Sequence, residues 1–378
     1  MTDRSLMPDY LRLAALFGIV VVNVGFIAFP ILQGPAAAAD PSALDQAVEL
    51  LVNGLASMKI FGLFSFMFGV GLAFQIQSAE RRGLPAGRLH RNRMLGLILL
   101  GVLHGLLFFP GDILALYGVA GALLWRLRNR SVSGLVRLGA GLAVGGSLLW
   151  AGLAFVPGEP PPLPPDAPIM TDGSLADVLA RRALNFAIVW PLALLMQGPI
   201  ALGWFCLGLA AVRSGMIDAP AHPLWRRARV WALAPGLAVS LLGAAVLQAG
   251  SEPAGWALIF VAAPVATAGY LGLIAAVSRP PSARFRPILQ AGGRSLTIYL
   301  GQSILLGGVV FVPFGLDLWG AVGLAAAVAL ALATTCLLIG LTILWNRRFA
   351  QGPFEWVLRR ITHRGVAPTP PTPPDEGR

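Results

Sequence analysis

The stretch LHGLLFFPGDILALYG, residues 103–118, is apolar on both sides of a Pro-Gly turn and yet carries His104, Asp112 and Tyr117. Sixteen residues lie between Arg93 and Pro110, about 24 Å of helix, and fourteen steps lead from Asp112 to Arg126, about 21 Å. Both arms are shorter than the roughly 30 Å hydrocarbon core of a bilayer. They predict a helical hairpin whose turn, Phe109-Pro-Gly-Asp112, is sunk below the membrane surface. Lipid cannot satisfy the backbone of such a turn, so protein or a water-filled cavity must cover it. His104 and Tyr117 then fall at similar depth, roughly 8–9 Å inward of the turn, within reach of a hydrogen bond between adjacent helices. Asp112 is placed to cap the free N–H groups that open the second arm.

Working outward, the rest of the chain has the same character. Of its 378 residues 56% are hydrophobic and 12% charged, and a mean hydropathy of +0.74 excludes a soluble globular protein. The predicted fold is all-α, a polytopic membrane helix bundle of about ten transmembrane helices. The spans fall near 11–33, 57–78, 94–109, 112–126, 134–156, 186–212, 229–249, 254–277, 288–311 and 319–345. The net charge of +11 is not a nucleic-acid patch, because its arginines cluster in alternate connections at 81–93, 126–130, 213–229, 279–286 and 347–364. The other connections carry Asp40, Asp45, Glu49, Glu159, Asp166, Asp172, Glu252 and Asp317, with Arg181 and Arg182 as basic exceptions. The positive-inside rule therefore puts both termini in the cytoplasm with an even number of spans. It also makes membrane lipids, through their anionic headgroups, the first partners of these arginines. Arg4, Arg12, an apolar run and then Pro35-Ala-Ala-Ala-Ala-Asp40 imitate a cleavable signal peptide. The run is longer than a signal core, however, and is read as a span. Cys206 and Cys336, both inside predicted spans, serve packing and indicate neither a disulfide nor a metal framework.

The transmembrane domain covers residues 1–345 and includes two outward segments, 34–56 and 157–185. Each contains a Ser N-cap with an acid three residues later, Ser42 with Asp45 and Ser174 with Asp177, so each predicts a short helix before the next span. Residues 346–364 predict a cytoplasmic interfacial helix in which Pro353 opens the helix. There Phe354, Trp356, Val357 and Ile361 face lipid while Arg359 and Arg360 face headgroups. Residues 365–378 form a solvated, disordered tail.

Polar side chains inside spans are expensive and are the first place to look for function. They are Asp9, Arg12 and Asn23 in the first span, Lys59 at the start of the second, then His104, Asp112 and Tyr117, with Gln197 in the sixth span and Arg294, Tyr299 and Gln302 in the ninth. Each has a structural reading beside the functional one. Asp112 is a helix cap, His104 a buried histidine satisfied by a tyrosine or a carbonyl, and Lys59 a side chain snorkelling to outer headgroups. Asp9 and Arg12 form an i, i+3 ion pair, and Arg294 is an anchor on the cytoplasmic side.

Several segments in order carry a resemblance. They are Asp9-Tyr-Leu-Arg12 leading into Gly18-Ile-Val-Val-Val-Asn23, then Phe64-Ser-Phe-Met-Phe-Gly-Val-Gly71, and His104 with Gly111-Asp-Ile-Leu114 and Tyr117. Gly293-Arg-Ser-Leu-Thr-Ile-Tyr-Leu300 with Gln302 and Gly352-Pro-Phe-Glu-Trp356 complete the set. Together they resemble the YeiB-like family of bacterial inner-membrane proteins, a domain of unknown function. That family is similar, more distantly, to the transmembrane acyltransferases, which also begin with an Asp-x-x-Arg span and move an acyl group from cytoplasmic acyl-CoA to an acceptor. The bacterial O-acetyltransferases of that group carry a functional histidine in the first span, where this chain has Asn23 and no histidine.

The resemblance implies a membrane-bound acyltransferase with acyl-CoA as donor substrate, no bound cofactor and no metal, acting on an envelope glycan or lipid. His104 is then general base or transient acyl carrier, with Asp112 or Tyr117 orienting it. Arg12 and Arg294 receive donor phosphates, and Asp9, Asn23, Lys59, Tyr299 and Gln302 complete the substrate and donor site. The alternative is a transporter or permease for a small polar or anionic solute, which the sunken hairpin and glycine-rich spans suit equally well.

Overall fold

The structure is a computed structural model and describes residues 5–37, 40–156 and 166–366. Pro8 in the first turn opens α1, Met7–Ile27. Ser42 and Asp45 form a capping box at the start of α2, Ala43–Leu51, which runs through a wide turn, Val52–Ala56, to Met58 in the left-handed region at φ 66°. The chain then enters α3, Lys59–Arg81, and after a turn at Gly83 α4, Ala86–Leu107. The hairpin partner is α5, Leu114–Leu127, followed by α6, Val132–Leu153, whose N-cap is Ser131. A short α7, Ala167–Asp172, precedes α8, Leu175–Arg213, again opened by a capping box, here Ser174 with Asp177. The remaining helices are α9, Pro223–Trp231, α10, Leu233–Gln248, α11, Glu252–Val277, α12, Arg286–Gly292, α13, Ser295–Leu305, α14, Leu324–Trp345, and α15, Pro353–Thr362.

The described residues hold no strand, and the protein is an all-helical, multi-pass membrane bundle. Among the described residues, seven helical stretches are long and apolar enough to cross a bilayer: Met7–Ile27, Ala43–Arg81, Val132–Leu153, Leu175–Arg213, Pro223–Gln248, Glu252–Val277 and Leu324–Trp345. Three expected spans fall outside this set for identifiable reasons. The helix holding 94–109, α4, spends its first turns on Arg88, Arg91 and Arg93, and α5 has only 14 residues. The expected span 288–311 is broken at Gly293-Arg294 into α12 and α13. A further expectation needs correction at 157–185, where the short helix before the span is α7 and does not begin at Ser174. The capping box at Ser174 opens α8 itself, which continues unbroken to Arg213 through Pro191 and Pro199. Its 39 residues exceed what a single perpendicular crossing needs. The Pro-rich run at 157–165 and the tail beyond 366 lie outside the described residues.

Small residues bring the helices together, as expected where lipid supplies no hydrophobic drive. A Cβ at Gly69 of α3 would sit 2.0 Å from the Phe205 carbonyl oxygen of α8, and one at Gly208 would sit 2.1 Å from that of Phe66. Only glycine at both positions allows this backbone approach. On α4, Leu95, Leu99 and Leu103 are exposed at four-residue spacing while Gly101 and His104 turn inward, so one face of the helix meets lipid and the other the bundle.

The arginine clusters share one face. Arg213 donates to the Arg128 and Arg130 carbonyls, Tyr10 to that of Arg279, and Asn92 to those of Thr362 and Arg364. On the opposite face the Asp45 carboxylate accepts from the Ala325 N–H at 2.8 Å, and Gly320 N–H donates to the Ala28 carbonyl.

Candidate functional site

The hairpin turn gathers its polar groups on one carboxylate. Asp112 Oδ2 accepts from the backbone N–H of Leu114 at 2.7 Å and of Ala115 at 3.2 Å, the cap read from the sequence. Its Oδ1 accepts from His104 Nδ1 at 2.8 Å and from the Tyr299 hydroxyl at 3.2 Å. Asp112 is 3% exposed and His104 4%, so these four donors replace the water that burial removed. With Nδ1 engaged by the carboxylate, the other ring nitrogen, Nε2, is buried without a partner. Gly101, one turn before His104, makes the approach possible, because a Cβ there would lie 2.2 Å from Ala115 N and 2.6 Å from Asp112 Oδ2.

The expected bond between His104 and Tyr117 does not form. Tyr117 instead hydrogen-bonds Ser65 Oγ at 2.8 Å, and its ring packs edge-on against Phe205 and Phe68. Tyr299 takes the place next to His104, with ring centroids 5.7 Å apart.

Two cavities end at this polar layer from opposite sides. One, of about 140 Å³, is lined by Arg12, Gln75, His90, Arg93, Tyr117 and Tyr299 and adjoins a second space on the arginine face that adds Arg82 and His363. The other, of about 240 Å³, is lined by Asn23, Asp112, Trp150, Trp190 and Gln197. It adjoins a space on the opposite face bearing Glu49 and Glu252. Among the described residues, acids are absent from the linings of the first pair, and lysine and arginine from those of the second.

The remaining expected residues divide. Asp9 and Arg12 form the i, i+3 pair at 2.8 Å, and Arg12 reaches the arginine-side cavity. Asn23 and Gln197 face the other cavity. Lys59 does not snorkel. The left-handed turn at Met58 leaves it fully buried, with Nζ donating to the Asn53 carbonyl at 2.8 Å. Arg294 donates to the Ala350 carbonyl at 2.6 Å and lines neither cavity. Gln302 joins α13 to its neighbours through the Leu16 carbonyl and Thr335 Oγ1. His104 supports Asp112 from behind and is absent from both linings.

The sequence reading passed over three groups. Arg93, His90 and Gln75 line the arginine-side cavity; the charge clustering had assigned Arg93 to the headgroups alone. Arg182, read as a surface exception, is buried and donates to the carbonyls of Leu107 and Gly307, clamping the end of α4 to the turn after α13. Glu355 accepts from the N–H groups of Leu296 at 2.8 Å and Thr297 at 3.1 Å and from the Thr297 hydroxyl, so it caps α13 from another helix. The Gly352-Pro-Phe-Glu-Trp356 motif was its signal.

Residues 211–365 match the family model described as a protein of unknown function, DUF418. The chain is 26% identical to the uncharacterized protein YxaH of Bacillus subtilis (strain 168), over 97% of this chain and 96% of that one. It is 27% identical to the uncharacterized protein YeiB of Escherichia coli (strain K12), over 97% and 98%. A third relative, the uncharacterized 39.9 kDa protein in the amylase 3' region of Bacillus acidopullulyticus, is 25% identical over 95% and 94%. No solved structure matches. None of these matches carries the wider similarity to acyltransferases. The DUF418 match lies in the C-terminal part of the chain, and the similarity to YxaH and YeiB runs from end to end, in keeping with the order of its motifs.

Proposed function

We propose that the protein is a membrane-bound acyltransferase of the bacterial inner membrane, with the arginine face and both termini in the cytoplasm and ten crossing segments. The observation that carries the reading is that Asp112 and Tyr299 are hydrogen-bonded to each other while each lines a different cavity. Two substrates entering from opposite faces would be kept apart by that one bond. The charges of the two sides fit such a pair. An anionic donor such as acyl-CoA suits the side of Arg12, Arg82 and Arg93. A glycan or lipid acceptor with a hydroxyl or amine suits the side of Asp112, Asn23 and Gln197.

The acceptor heteroatom attacks the thioester carbonyl carbon and its proton passes to Asp112. The C–S bond then breaks, and the leaving sulfur takes the proton back. His104 acts as a positioning residue, since it lies behind Asp112 and lines neither cavity. Tyr299 and Tyr117 form the donor-side wall. Meeting of the substrates requires the Asp112–Tyr299 bond to open.

The test is acyl transfer from acyl-CoA by the purified protein, compared with Asp112→Asn. Transfer in the wild type that falls in the variant supports the reading, and a wild type with neither transfer nor acyl-CoA binding overturns it. The two-sided arrangement also suits a transporter for a small polar or anionic solute. Solute flux into proteoliposomes without an acyl donor would select that reading instead.

A further inference from the structure

The arginine-side cavity contains polar atoms that no neighbour satisfies. His90 is buried, and its Nε2 meets the Gly121 carbonyl oxygen at 3.0 Å. A carbonyl only accepts, so Nε2 carries the hydrogen and Nδ1 the bare lone pair. That Nδ1 has no partner. The ring itself is fixed by stacking on Trp125, with centroids 4.9 Å apart and planes 15° apart. Gln75 Nε2, a donor, is likewise buried without a partner. Arg93 makes no hydrogen bond or ion pair among the described residues, and its charged neighbours are Arg12 and Glu355. Arg12 already pairs with Asp9, and Glu355 is occupied in capping α13. Leaving buried polar groups unmatched is costly, so the set asks for a ligand.

Its chemistry is specified by the pattern. Arg93 and Gln75 offer donors to anionic oxygens, while His90 Nδ1 offers an acceptor to an O–H in the same group. A carboxylate or a phosphodiester anion supplies the oxygens without the O–H. A phosphate monoester in its monoanionic form supplies both. We propose that this cavity is a phosphomonoester site formed by Arg93, His90 and Gln75, with Arg12 at its edge. The inference deepens the acyl-transfer reading and rests on it for the identity of the soluble ligand, a phosphate-bearing donor. Binding is measured without turnover, so the two can fail separately.

The experiment uses the full chain in phosphatidylcholine nanodiscs, with ³¹P NMR titration of methyl phosphate and of dimethyl phosphate. The monoester is expected to bind about tenfold or more tighter than the diester, and Arg93→Gln to weaken it about tenfold. Gln75→Leu, a gentler change, is expected to weaken it less, with melting temperature confirming that each variant is folded. Equal binding of the two esters, or unchanged monoester binding in folded Arg93→Gln, overturns the proposal. Competition then distinguishes the sources. Displacement of methyl phosphate by adenosine 3'-phosphate points to a soluble donor, and displacement by phosphatidate in the disc to a lipid headgroup. Either supports the phosphomonoester class, and displacement by neither overturns it.

Discussion

Asp112 and Tyr299 lie 187 positions apart in the chain and share a 3.2 Å hydrogen bond across the boundary between two cavities. The carboxylate is also the partner of His104 and the cap of α5, so its substitutions should separate these roles. Tyr299→Phe removes one hydrogen bond and should cost about 1 kcal/mol of stability. Asp112→Ala orphans a buried ring and a buried hydroxyl and uncaps a helix, and should cost about 3–5 kcal/mol. Unfolding of both variants in detergent, followed by tryptophan fluorescence, checks the order. Equal losses would mean that the carboxylate is not the centre of the network.

Gly101→Ala should act on the same network without touching any of its polar atoms. The new methyl would overlap Ala115 N and the Asp112 carboxylate and push α5 from α4. A loss of about 1–3 kcal/mol is expected from such overpacking. Gly141, whose Cβ would meet nothing within 4 Å, provides the control. A Gly101→Ala variant as stable as Gly141→Ala would contradict the packing described.

Arg182→Met should release two carbonyls at once. The guanidinium holds Leu107, three residues after His104, and Gly307, eight residues after Tyr299. Arg182→Lys, with a point charge in place of a planar fork, should recover only part of the loss because one ammonium replaces a two-pronged contact. The melting temperatures of the three proteins should rank wild type, Lys, Met. Full recovery by lysine would show that charge alone matters there.

Glu355→Ala should loosen α15 from α13, since all three donors to the carboxylate come from Leu296 and Thr297. Loss of a helix cap costs about 1 kcal/mol. Limited proteolysis should cut faster between Asn346 and Gly352 in the variant than in the wild type. Cleavage at an unchanged rate would argue against the cap.

Features set by neighbouring residues were readable from the sequence. Apolar runs announced most of the helices, Ser42-x-x-Asp45 and Ser174-x-x-Asp177 announced two helix starts, and Asp112 was recognisable as the cap of α5 because a cap spans only two or three residues. Features set by encounters between distant segments were not. Whether Tyr117 or Tyr299 would reach the hairpin turn depended on where α13 docks, and depth along a helix gave no information on azimuth. Arg182 is read from the sequence only as a basic exception in an outward connection, and the structural reading of Lys59 is snorkelling because a long cationic side chain usually seeks water, whereas here backbone carbonyls at Leu107, Gly307 and Asn53 receive them. The break at Gly293-Arg294 was concealed by the apolar residues on both sides of it, and a hydropathy reading joined α12 and α13 into one span.

The cap that Glu355 places on α13 also sets an order of events during synthesis. The first turn of α13 receives its acceptor from a residue 58 or 59 positions further along, and Tyr299 lies within the next turn. When α4, α5 and α13 have all been made, the nascent chain still lacks the carboxylate that secures α13. A chain arrested before residue 355 therefore carries every residue of the polar centre and the Gln302 contacts of α13, but lacks the cap on its first turn.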